Sequence, residues 1–451
     1  MQVIVVGCGK VGRTIAAQLV NEDNDITVVD TNAERVDDIS TIYDVMGVVG
    51  NATSFKTLSE AGIKHADMLV AVTQSDEVNL LCCVLAKKAG GCRTVARVRN
   101  PIYSAERNFL QEKLGVSMTI NPEYEAALEI SHLLRFPQAS EVYSFAKRRT
   151  SLISFRVPEG CDLVGMPLRD LSKRLSTTVL VCMARRGDEV IIPDGSFEAR
   201  EGDILSIMAM PGVADEFFRR MGMQKDRVRN TLLIGGGKVS FYLAQILDEV
   251  GIRSKIIEQD YKRCEELAEQ LPNATVIHGD GSDQEFLKEE HIETMDSMVA
   301  ATGIDEENII LSLYARDIVK YKVVTKLSHM ETDGVVKSLD LDAIVSPRTI
   351  TAESIVRYVR ATRNGMGSNV EVMYKMLDGR AEALEFKIKE DSVVTGVRLA
   401  DMRLKKDVLV GGIFRNGNLI VPSGSDVIQS GDSVIVITTN IGFQDIHDIL
   451  A

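Results

Sequence analysis

The sequence predicts an α/β fold: two Rossmann-like parallel-sheet nucleotide-binding domains, each followed by a small α+β domain, in an internal duplication. The chain repeats one pattern, because residues 4–12 and residues 232–240 each run from an apolar strand into a glycine turn. The repeat continues far downstream, where residues 193–195 match residues 422–424. Strand and helix patterns also alternate in both long modules, which is typical of parallel sheets covered by helices.

The chain is long enough for several domains. Its 451 residues exceed the size at which a single hydrophobic core stops growing. The nucleotide-binding domains are predicted at residues 1–137 and 229–360, and the small α+β domains at residues 150–222 and 369–451. The predicted linkers are the polar stretches at residues 146–150, 221–230 and 363–368.

Short, nearly continuous apolar runs predict five parallel strands in the first module, as expected where both faces of a sheet are covered. The strands are predicted at residues 2–6, 25–29, 44–49, 68–73 and 94–99. Helical patterns lie between them, at residues 11–21, 33–39, 54–61 and 78–89. A further helix is predicted from Asn121-Pro122 to Arg135, because proline suits a first helical turn. The second module repeats this order from Thr231 to about Arg360.

The segments after each module combine short β patterns with dense turn chemistry, such as Pro158-Glu159-Gly160. In the first segment, strands are predicted at residues 152–157, 179–183, 189–192 and 204–208, around a helix at residues 168–175. In the second segment, strands are predicted at residues 385–389, 408–414, 418–421 and 433–438. These patterns predict two small α+β domains of similar construction.

Charge and composition exclude several classes of function. The formal net charge of −13 argues against general nucleic-acid binding. No apolar run reaches the ~18 residues of a membrane helix, and the N-terminus has no signal-peptide pattern. We therefore expect a cytoplasmic protein without direct lipid insertion. Seven scattered cysteines predict reduced thiols, and no metal-ligand spacing is present, so no metal site is expected.

The first glycine turn carries the strongest site prediction. Gly7, Gly9 and Gly12 follow a strand and open a helix, the context in which this spacing indicates a dinucleotide site. Gly7 permits the tight turn, Gly9 lets a pyrophosphate approach the backbone, and Gly12 lets the helix pack on the strand. The free N–H groups at the helix start then face the phosphates. The alternative is a turn that needs glycines only for its own geometry.

Asp30 ends the next strand, eighteen residues after Gly12. A carboxylate at this place accepts hydrogen bonds from ribose hydroxyls and repels a 2′-phosphate. NAD(H) or an adenosine nucleotide therefore fits better than NADP(H). The alternative is that Asp30 caps the helix that begins after Thr31-Asn32.

The second site departs from this pattern at two positions. Gly235, Gly236 and Gly237 form its turn, but Ser240 replaces the third glycine and Glu258 replaces the aspartate. Both replacements are compatible with a nucleotide, because serine is small and glutamate reaches one methylene further. The alternative is a degenerate site that only maintains the fold.

Further candidate positions lie at strand ends, where open α/β sheets bind ligands. They are Gly50-Asn51 with Gly279-Asp280, Thr73-Gln74 with Thr302-Gly303, and Arg97 with Lys326. Arg97 is favoured over Arg99 as a phosphate contact, because Arg99 aligns with Ser328 and has no cationic counterpart. The alternatives are ordinary turn chemistry and, for Arg97, a surface cation.

No catalytic residue is predicted. The six histidines do not recur at equivalent positions in the two copies, and no Ser-His-Asp order is present. A dehydrogenase needs a general acid or base beside the nicotinamide. The sequence therefore favours nucleotide binding over turnover and predicts that the chain is not an enzyme.

Several runs of residues closely resemble the RCK family, the regulators of potassium conductance. They are GCGKVG at residues 7–12, ITVVD at 26–30, ADMLVAVT at 66–73, DEVN at 76–79 and ARVR at 96–99. The duplicated layout resembles one branch of this family, the TrkA-type peripheral NAD-binding subunits of Trk potassium uptake systems. The resemblance covers essentially the whole chain and is strongest in the first nucleotide module.

The resemblance implies a cytoplasmic subunit that forms a homo-oligomeric ring, a tetramer when two units are fused. The ring would dock on the inner face of a TrkH-type membrane potassium translocator, and NAD(H), with ATP or ADP as further ligands, would gate the pore. Carried over by motif, the first-site contacts would be Gly7, Cys8, Gly9, Lys10, Val11, Gly12, Asp30, Asn51, Thr73, Gln74 and Arg97. The second-site contacts would be Gly235, Gly236, Gly237, Lys238, Val239, Glu258, Gly279, Asp280 and Thr302.

Two alternatives come from other classes of protein. One is an NAD-dependent oxidoreductase with a duplicated Rossmann core, which a turnover assay would detect. The other is a redox or nucleotide sensor that acts on other partners. A neighbouring gene for a multi-spanning potassium transporter would favour the transport subunit over both.

Overall fold

The computed structural model describes residues 1–451 except Asp23 and residues 147–148, 172–178, 224–226, 329–333, 340, 364–369, 378 and 391. The chain forms two compact units, and both halves of the sequence contribute to each. The first unit contains residues 1–131 and 229–359, and the second contains residues 132–228 and 360–451. The first unit holds two parallel sheets and the second holds two antiparallel sheets. The predicted fold class is therefore confirmed.

The first parallel sheet has six strands in the order β3-β2-β1-β4-β5-β6. The strands are β1 (Gln2–Val6), β2 (Asp25–Asp30), β3 (Met46–Val49), β4 (Met68–Ala71), β5 (Arg93–Arg97) and β6 (Met118–Ile120). The helices are α1 (Lys10–Val20), α2 (Ala33–Tyr43), α3 (Phe55–Glu60), α4 (Asp76–Ala89), α5 (Pro101–Ala105), α6 (Arg107–Glu112) and α7 (Pro122–Arg135). The chain reverses its direction of travel across the sheet between β1 and β4, so the ligand crevice of such a fold lies at their carboxyl ends.

The five strands predicted for this module are present, with β6 added at one edge. β3 starts later than predicted because Asp44 ends α2 in a left-handed conformation, with φ of 52°. β4 ends before Thr73, whose N–H bonds to the side chain of Asn79 instead of a neighbouring strand. β5 ends before Arg99, whose N–H bonds to the carboxylate of Asp76. Side chains of α4 thus terminate both strands beside the crevice.

The first antiparallel sheet has five strands in the order β10-β9-β11-β8-β7. The elements are β7 (Ala139–Phe145), β8 (Thr150–Arg156), β9 (Leu180–Arg186), β10 (Glu189–Ile191), β11 (Ile204–Ala209) and α8 (Pro211–Arg220). β7 and α8 were not predicted. The buried positions of β7 recur every three residues instead of alternating, which conceals the strand in the sequence. Of the predicted helix at 168–175, the described part is a 3₁₀ turn at Leu168–Asp170, and residues 172–178 lie outside the described residues.

The second parallel sheet repeats the first, with the order β14-β13-β12-β15-β16-β17. The strands are β12 (Asn230–Ile234), β13 (Arg253–Glu258), β14 (Thr275–His278), β15 (Ser297–Ala300), β16 (Lys322–Lys326) and β17 (Ile344–Val345). The helices are α9 (Lys238–Glu249), α10 (Tyr261–Gln270), α11 (Gln284–Glu289), α12 (Asp305–Ala315), α13 (Val335–Ser338) and α14 (Pro347–Arg363).

The second antiparallel sheet has the order β18-β19-β22-β20-β21. Its strands are β18 (Val370–Met376), β19 (Ala381–Lys387), β20 (Val408–Arg415), β21 (Asn418–Ile420) and β22 (Ser433–Thr438). β18 was not predicted, and β19 starts four residues before the predicted strand. The two antiparallel sheets share one core, in which Leu152 and Met208 pack with Ala383 and Ile437.

Helices cross between the two halves of the chain within the first unit. Ile355 and Val356 of α14 belong to one buried cluster with Leu19 of α1 and the first parallel sheet. In the other direction, Tyr124 of α7 meets Tyr242 of α9 edge to face, with ring centroids 5.6 Å apart. Each nucleotide module is therefore in contact with a helix that follows the other module in the sequence.

The three predicted linkers lie only partly within the described residues. Of these linkers, residues 147–148, 224–226 and 364–368 lie outside the described residues. Ala146 and Arg149 lie between β7 and β8, and Arg363 is the last residue of α14. Within the described ranges, no helix has the length and apolar character to cross a membrane. In the same ranges, no cluster of His, Cys, Asp and Glu suits a metal ion. All seven cysteines are buried free thiols.

Candidate functional site

The glycines of the first turn have three different surroundings. Gly7 has φ of 102°, and a Cβ there would lie 3.0 Å from the backbone nitrogen of Thr73. A Cβ at Gly12 would lie 1.8 Å from the carbonyl oxygen of Gly7. At Gly9, by contrast, a Cβ would meet no atom within 4 Å. The first and third glycines are therefore required by the fold, whereas the second borders open space at the start of α1, where a phosphate fits.

The acidic residue of each site holds its glycine turn in place. Asp30 accepts the N–H of Cys8 at 2.7 Å with one carboxylate oxygen and the N–H of Asn32 at 2.9 Å with the other. Glu258 forms the same pair of bonds, with Gly236 at 2.6 Å and Asp260 at 2.8 Å. A carboxylate has about four acceptor positions, so ribose hydroxyls can bond to the same oxygens. Asp30 and Glu258 can therefore bond to the backbone at the start of the next helix and accept ribose hydroxyls at the same time.

The second glycine turn is adapted to its serine. The hydroxyl of Ser240 donates to the carbonyl oxygen of Gly235 at 2.5 Å, which compensates for the closer approach that Gly12 permits in the first turn. A Cβ at Gly237 would meet no atom within 4 Å, as at Gly9. Gly236 is crowded instead, because a Cβ would lie 2.5 Å from Leu267. The second turn therefore keeps the open position that a phosphate needs.

Cys8 stands where the second turn has Gly236. Its side chain is buried, and burial, followed by the nearby charge of Asp30, raises the pKa of the thiol to about 12. The thiol is therefore protonated at neutral pH and contributes its backbone N–H, not a thiolate, to the turn. Lys10 and Lys238 are the exposed first residues of α1 and α9, followed by the partly buried Val11 and the buried Val239.

Asn79 organises the strand end of the first crevice. Its Oδ1 accepts both the N–H and the hydroxyl of Thr73, at 2.8 and 2.7 Å, and its Nδ2 donates to the carbonyl of Arg97 at 2.9 Å. Asn308 repeats these bonds with Thr302 and Lys326. Neither asparagine was predicted as a site residue. The available signal was their recurrence at equivalent positions in both copies.

Arg97 and Lys326 occupy equivalent positions beside the crevices. The guanidinium of Arg97 donates to the carbonyl of Thr73 at 2.6 Å, and the ammonium of Lys326 donates to that of Thr302 at 2.5 Å. Burial lowers the pKa of each cation. The Nε of Arg97 is buried without a hydrogen-bond partner. Arg99 is engaged elsewhere, 2.5 Å from the carboxylate of Glu123, so the geometry favours Arg97 as the anion contact.

The remaining predicted positions form local turns. Asn51 accepts the N–H and hydroxyl of Thr53 at 3.0 and 2.9 Å, and Asp280 accepts those of Ser282 at 2.9 and 2.7 Å. A Cβ at Gly279 would enter the ring of Phe286, 2.1 Å from one carbon. These contacts fit the turn interpretation. Gln74 is exposed at the strand end next to Thr73.

These features define a class: proteins with two Rossmann-type nucleotide-binding modules, each followed by a small antiparallel module. The TrkA-N domain matches residues 3–122 and 231–347, and the TrkA-C domain matches residues 152–222 and 383–451. The chain belongs to the TrkA family. The resemblance to RCK proteins of TrkA type is thereby confirmed.

Full-length relatives agree with this assignment. Trk system potassium uptake protein TrkA homolog 1 of Methanosarcina mazei is 32% identical over 447 residues, covering 97% of this chain and 97% of the relative. TrkA of Vibrio alginolyticus is 32% identical over 448 residues, covering 98% and 96%. TrkA of Haemophilus influenzae is 30% identical over 445 residues, covering 97% and 95%. These relatives are named as potassium uptake proteins, which agrees with the expectation that the chain is not an enzyme.

Solved structures share the fold. The crystal structure of the GsuK RCK domain has a TM-score of 0.63 at 15% identity, covering 97% of this chain and 92% of that chain. The GsuK channel bound to NAD has a TM-score of 0.63 at 15% identity, covering 97% and 77%.

Proposed function

We propose that the chain is a cytoplasmic regulatory subunit that binds NAD(H) or adenine nucleotides in its two clefts and gates a Trk-type membrane potassium translocator. The observation that carries the proposal is the open space at Gly9 and Gly237. In each cleft this space lies at a helix start, near an acidic strand end, and a partly buried cation lies at the end of another strand of the same sheet. Together these groups match the pyrophosphate and the ribose of a nucleotide.

NAD(H) is the proposed ligand of the first cleft, because Asp30 would repel the 2′-phosphate of NADP(H). ATP and ADP are further candidates, since they present the same adenosine and phosphate groups. A solved GsuK structure of the same fold is bound to NAD and another, with a TM-score of 0.50, is bound to ADP. The second cleft keeps the same construction with Glu258, so we propose that it is also occupied.

The proposed partner is a TrkH-type translocator, and the proposed assembly is a homotetrameric ring at the inner face of the membrane. The names of the full-length relatives support a transport system. The charge of −13 favours basic loops of a membrane protein over anionic lipid as the docking surface. A nucleotide would act by binding one ring state more tightly than the other.

Alanine at Gly9 or Gly237 tests the binding sites directly. The added Cβ fits the empty protein, so the fold is retained, but it occupies the space of the phosphate. We expect each variant to lose one of two NADH-binding events in calorimetry, with that event weakened by at least about tenfold, or ~1.4 kcal/mol. Gly212→Ala is the matched control, because its Cβ also meets open space, in α8 of the other unit.

An absorbance measurement on the same protein distinguishes the proposed regulatory subunit from an oxidoreductase. NADH should bind while its nicotinamide absorbance stays constant with candidate substrates present. Steady, substrate-dependent oxidation of NADH would contradict a regulatory role. Potassium uptake by cells that contain the translocator should lose its nucleotide response with the combined Gly9 and Gly237 variants and keep it with Gly212→Ala.

A further inference from the structure

One tyrosine connects the glycine turn of the second cleft with the strand end of the first. Tyr242 lies in α9, one helical turn after Lys238, and is 6% exposed. Its hydroxyl donates to the carbonyl of Arg99 at 3.3 Å and accepts from Nδ2 of Asn121 at 2.9 Å. Arg99 follows the cation Arg97 by two residues. A hydrogen bond therefore joins the helix that starts one cleft to the backbone that ends the other.

Asn121 and Tyr124 hold this tyrosine in place. Asn121 caps α7, since its Oδ1 accepts the N–H of Tyr124 at 3.1 Å, while its Nδ2 bonds to Tyr242. The rings of Tyr124 and Tyr242 are nearly perpendicular, at 89°. The start of α7 is thereby fixed to α9 by an aromatic contact and a hydrogen bond. A displacement of the first turns of α9 would be passed to the start of α7 and to Arg99.

Glu123 adds a charge at the same place. Its Oε1 accepts a hydrogen bond from Nε of Arg99 at 2.6 Å. Burial lowers the pKa of Lys326 in the second cleft, and the charges of Asp305 and Glu123 oppose that effect. In the first cleft, burial and Arg99 lower the pKa of Arg97, and Glu123 again opposes them. One carboxylate therefore acts on the cations of both clefts.

Among the described residues, the equivalent place on the other module shows no such connection. Tyr242 corresponds to Thr14 in α1, whose hydroxyl donates to the carbonyl of Lys10 within the same helix at 3.0 Å. Arg99 corresponds to Ser328, which has no guanidinium. Thr14 therefore offers a matched control for any experiment on the hydroxyl of Tyr242.

We propose that Tyr242 is a positioning residue that couples the two clefts, so that a nucleotide in one changes the affinity of the other. The inference rests on the proposed function, because it assumes that both clefts bind nucleotides. A phosphate that draws the first turn of α9 towards itself moves Tyr242, and with it Arg99 and the neighbouring Arg97. Coupling of this kind is reciprocal, so either cleft serves as the reporter.

The experiment uses the full chain, with NADH as the probe in calorimetry. Gly237→Ala leaves the first cleft available and gives its Kd alone, and Gly9→Ala gives that of the second. If the clefts are independent, the wild-type isotherm should equal the sum of two separate binding events with these two dissociation constants. We expect instead a deviation from this sum: at least one wild-type dissociation constant should differ at least about fivefold from its single-cleft value, in the range typical of coupled sites.

Tyr242→Phe is the decisive variant because it keeps the ring and removes the hydroxyl. In this variant we expect the two dissociation constants to lie within about twofold of the single-cleft values, far below the coupling of the wild type. The single-cleft constants themselves and the thermal midpoint should stay close to their wild-type values. Thr14→Val should keep the full deviation. Glu123→Gln keeps the side-chain shape but not the charge, and should reduce the deviation without abolishing binding.

The outcomes separate the two proposals. A wild-type isotherm equal to the sum of the two single-cleft events, or a deviation that Tyr242→Phe leaves unchanged, would overturn the coupling role alone. If Tyr242→Phe unfolds, an unchanged deviation in Glu123→Gln overturns the proposal, and a reduced one supports it. Absence of NADH binding in the wild type and both single-cleft variants would instead overturn the proposed function.

Discussion

At the scale of single residues, the two clefts differ in the cation at the end of the fifth strand of each parallel sheet, which is arginine in the first and lysine in the second. Arg97 and Lys326 donate to equivalent threonine carbonyls, and burial lowers the pKa of both. An arginine remains protonated throughout the accessible pH range, whereas a buried lysine can lose its proton. The two clefts should therefore respond differently to alkaline pH.

We predict that NADH affinity of the second cleft falls with rising pH and that of the first does not. The cleft needs the protonated ammonium of Lys326, and its lowered pKa brings deprotonation below the ordinary value of 10.5. Calorimetry from about pH 7 to about pH 10 on the Gly9→Ala and Gly237→Ala variants measures each cleft separately. Lys326→Arg should remove the dependence. Parallel pH profiles in the two clefts would contradict the prediction.

Lys326 also makes the stability of the fold depend on pH, but in the opposite direction to the NADH affinity. The folded chain holds the proton of Lys326 less tightly than the unfolded chain does. The free energy of unfolding should therefore rise with pH between the lowered pKa and 10.5, because the unfolded state binds more protons there.

Whether the role of a residue could be predicted depends on how far away in the sequence its partners lie. Gly7 and Asp30 could be predicted from the sequence, because a strand, a turn and a helix start within about thirty residues define them. Tyr242 could not, since its partners lie in the other module. Asn79 was missed although its recurrence as Asn308 was visible in the sequence. Asn51 and Asp280 had two interpretations in the sequence, and the structure adds only their local turn bonds.

At the scale of elements, α14 belongs by sequence to the second half and packs with the core of the first. Ile355 is fully buried in the cluster that also contains Leu19 of α1. The sequence predicts helix character here but does not specify which sheet the helix covers.

We predict that Ile355→Ala lowers the free energy of unfolding by about 2–5 kcal/mol, as expected for a large-to-small change in a core. Chemical denaturation of the full chain measures it. The control is Ile304→Ala, because that side chain is 58% exposed and its loss should change stability by no more than about 0.5 kcal/mol. Equal effects of the two variants would mean that α14 contributes little to the first module.

The strands that were not predicted are β6, β7, β17 and β18, which lie at sheet edges, although the edge strands β3, β10 and β21 were predicted. β6 and β17 have only 3 and 2 residues, too few to carry a periodic signal. β7 and β18 each pair with a shifted register near one end, at Ala139/Glu141 and Val370/Val372. The predicted strands β9, β11, β20 and β22 also pair with a register shift, so the shift alone does not explain why β7 and β18 were missed. In both strands, buried and exposed residues do not alternate as they would in a strand with one buried face. The central strands have continuous apolar sequences and could be predicted.

At the scale of the whole molecule, the duplication places the same exposed residue type on both modules. Leu81 of α4 and Ile310 of α12 are equivalent, and they are 48% and 64% exposed. Exposed aliphatic side chains at repeated positions suit an interface that recurs around a closed ring. This feature supports the proposed homo-oligomer.

We predict that Leu81→Glu combined with Ile310→Glu reduces the mass of the assembly in light scattering, because two charges would be buried at each contact. Val250→Glu is the control. Val250 is also aliphatic and 43% exposed, but its counterpart is Glu22, so the position already carries a glutamate in one module. An unchanged mass for the double variant, or a monomeric wild type at micromolar concentration, would contradict the prediction.

The crossed position of α14 has a consequence for synthesis of the chain on the ribosome. The last strand of the first parallel sheet ends at Ile120, but the helix that joins its core is complete only at Arg363. At ordinary elongation speeds, that interval lasts on the order of 10 to 50 s. During it, the apolar surface against α14 has emerged without its covering helix. The nascent chain should therefore bind chaperones most strongly between these two lengths and release them once α14 emerges.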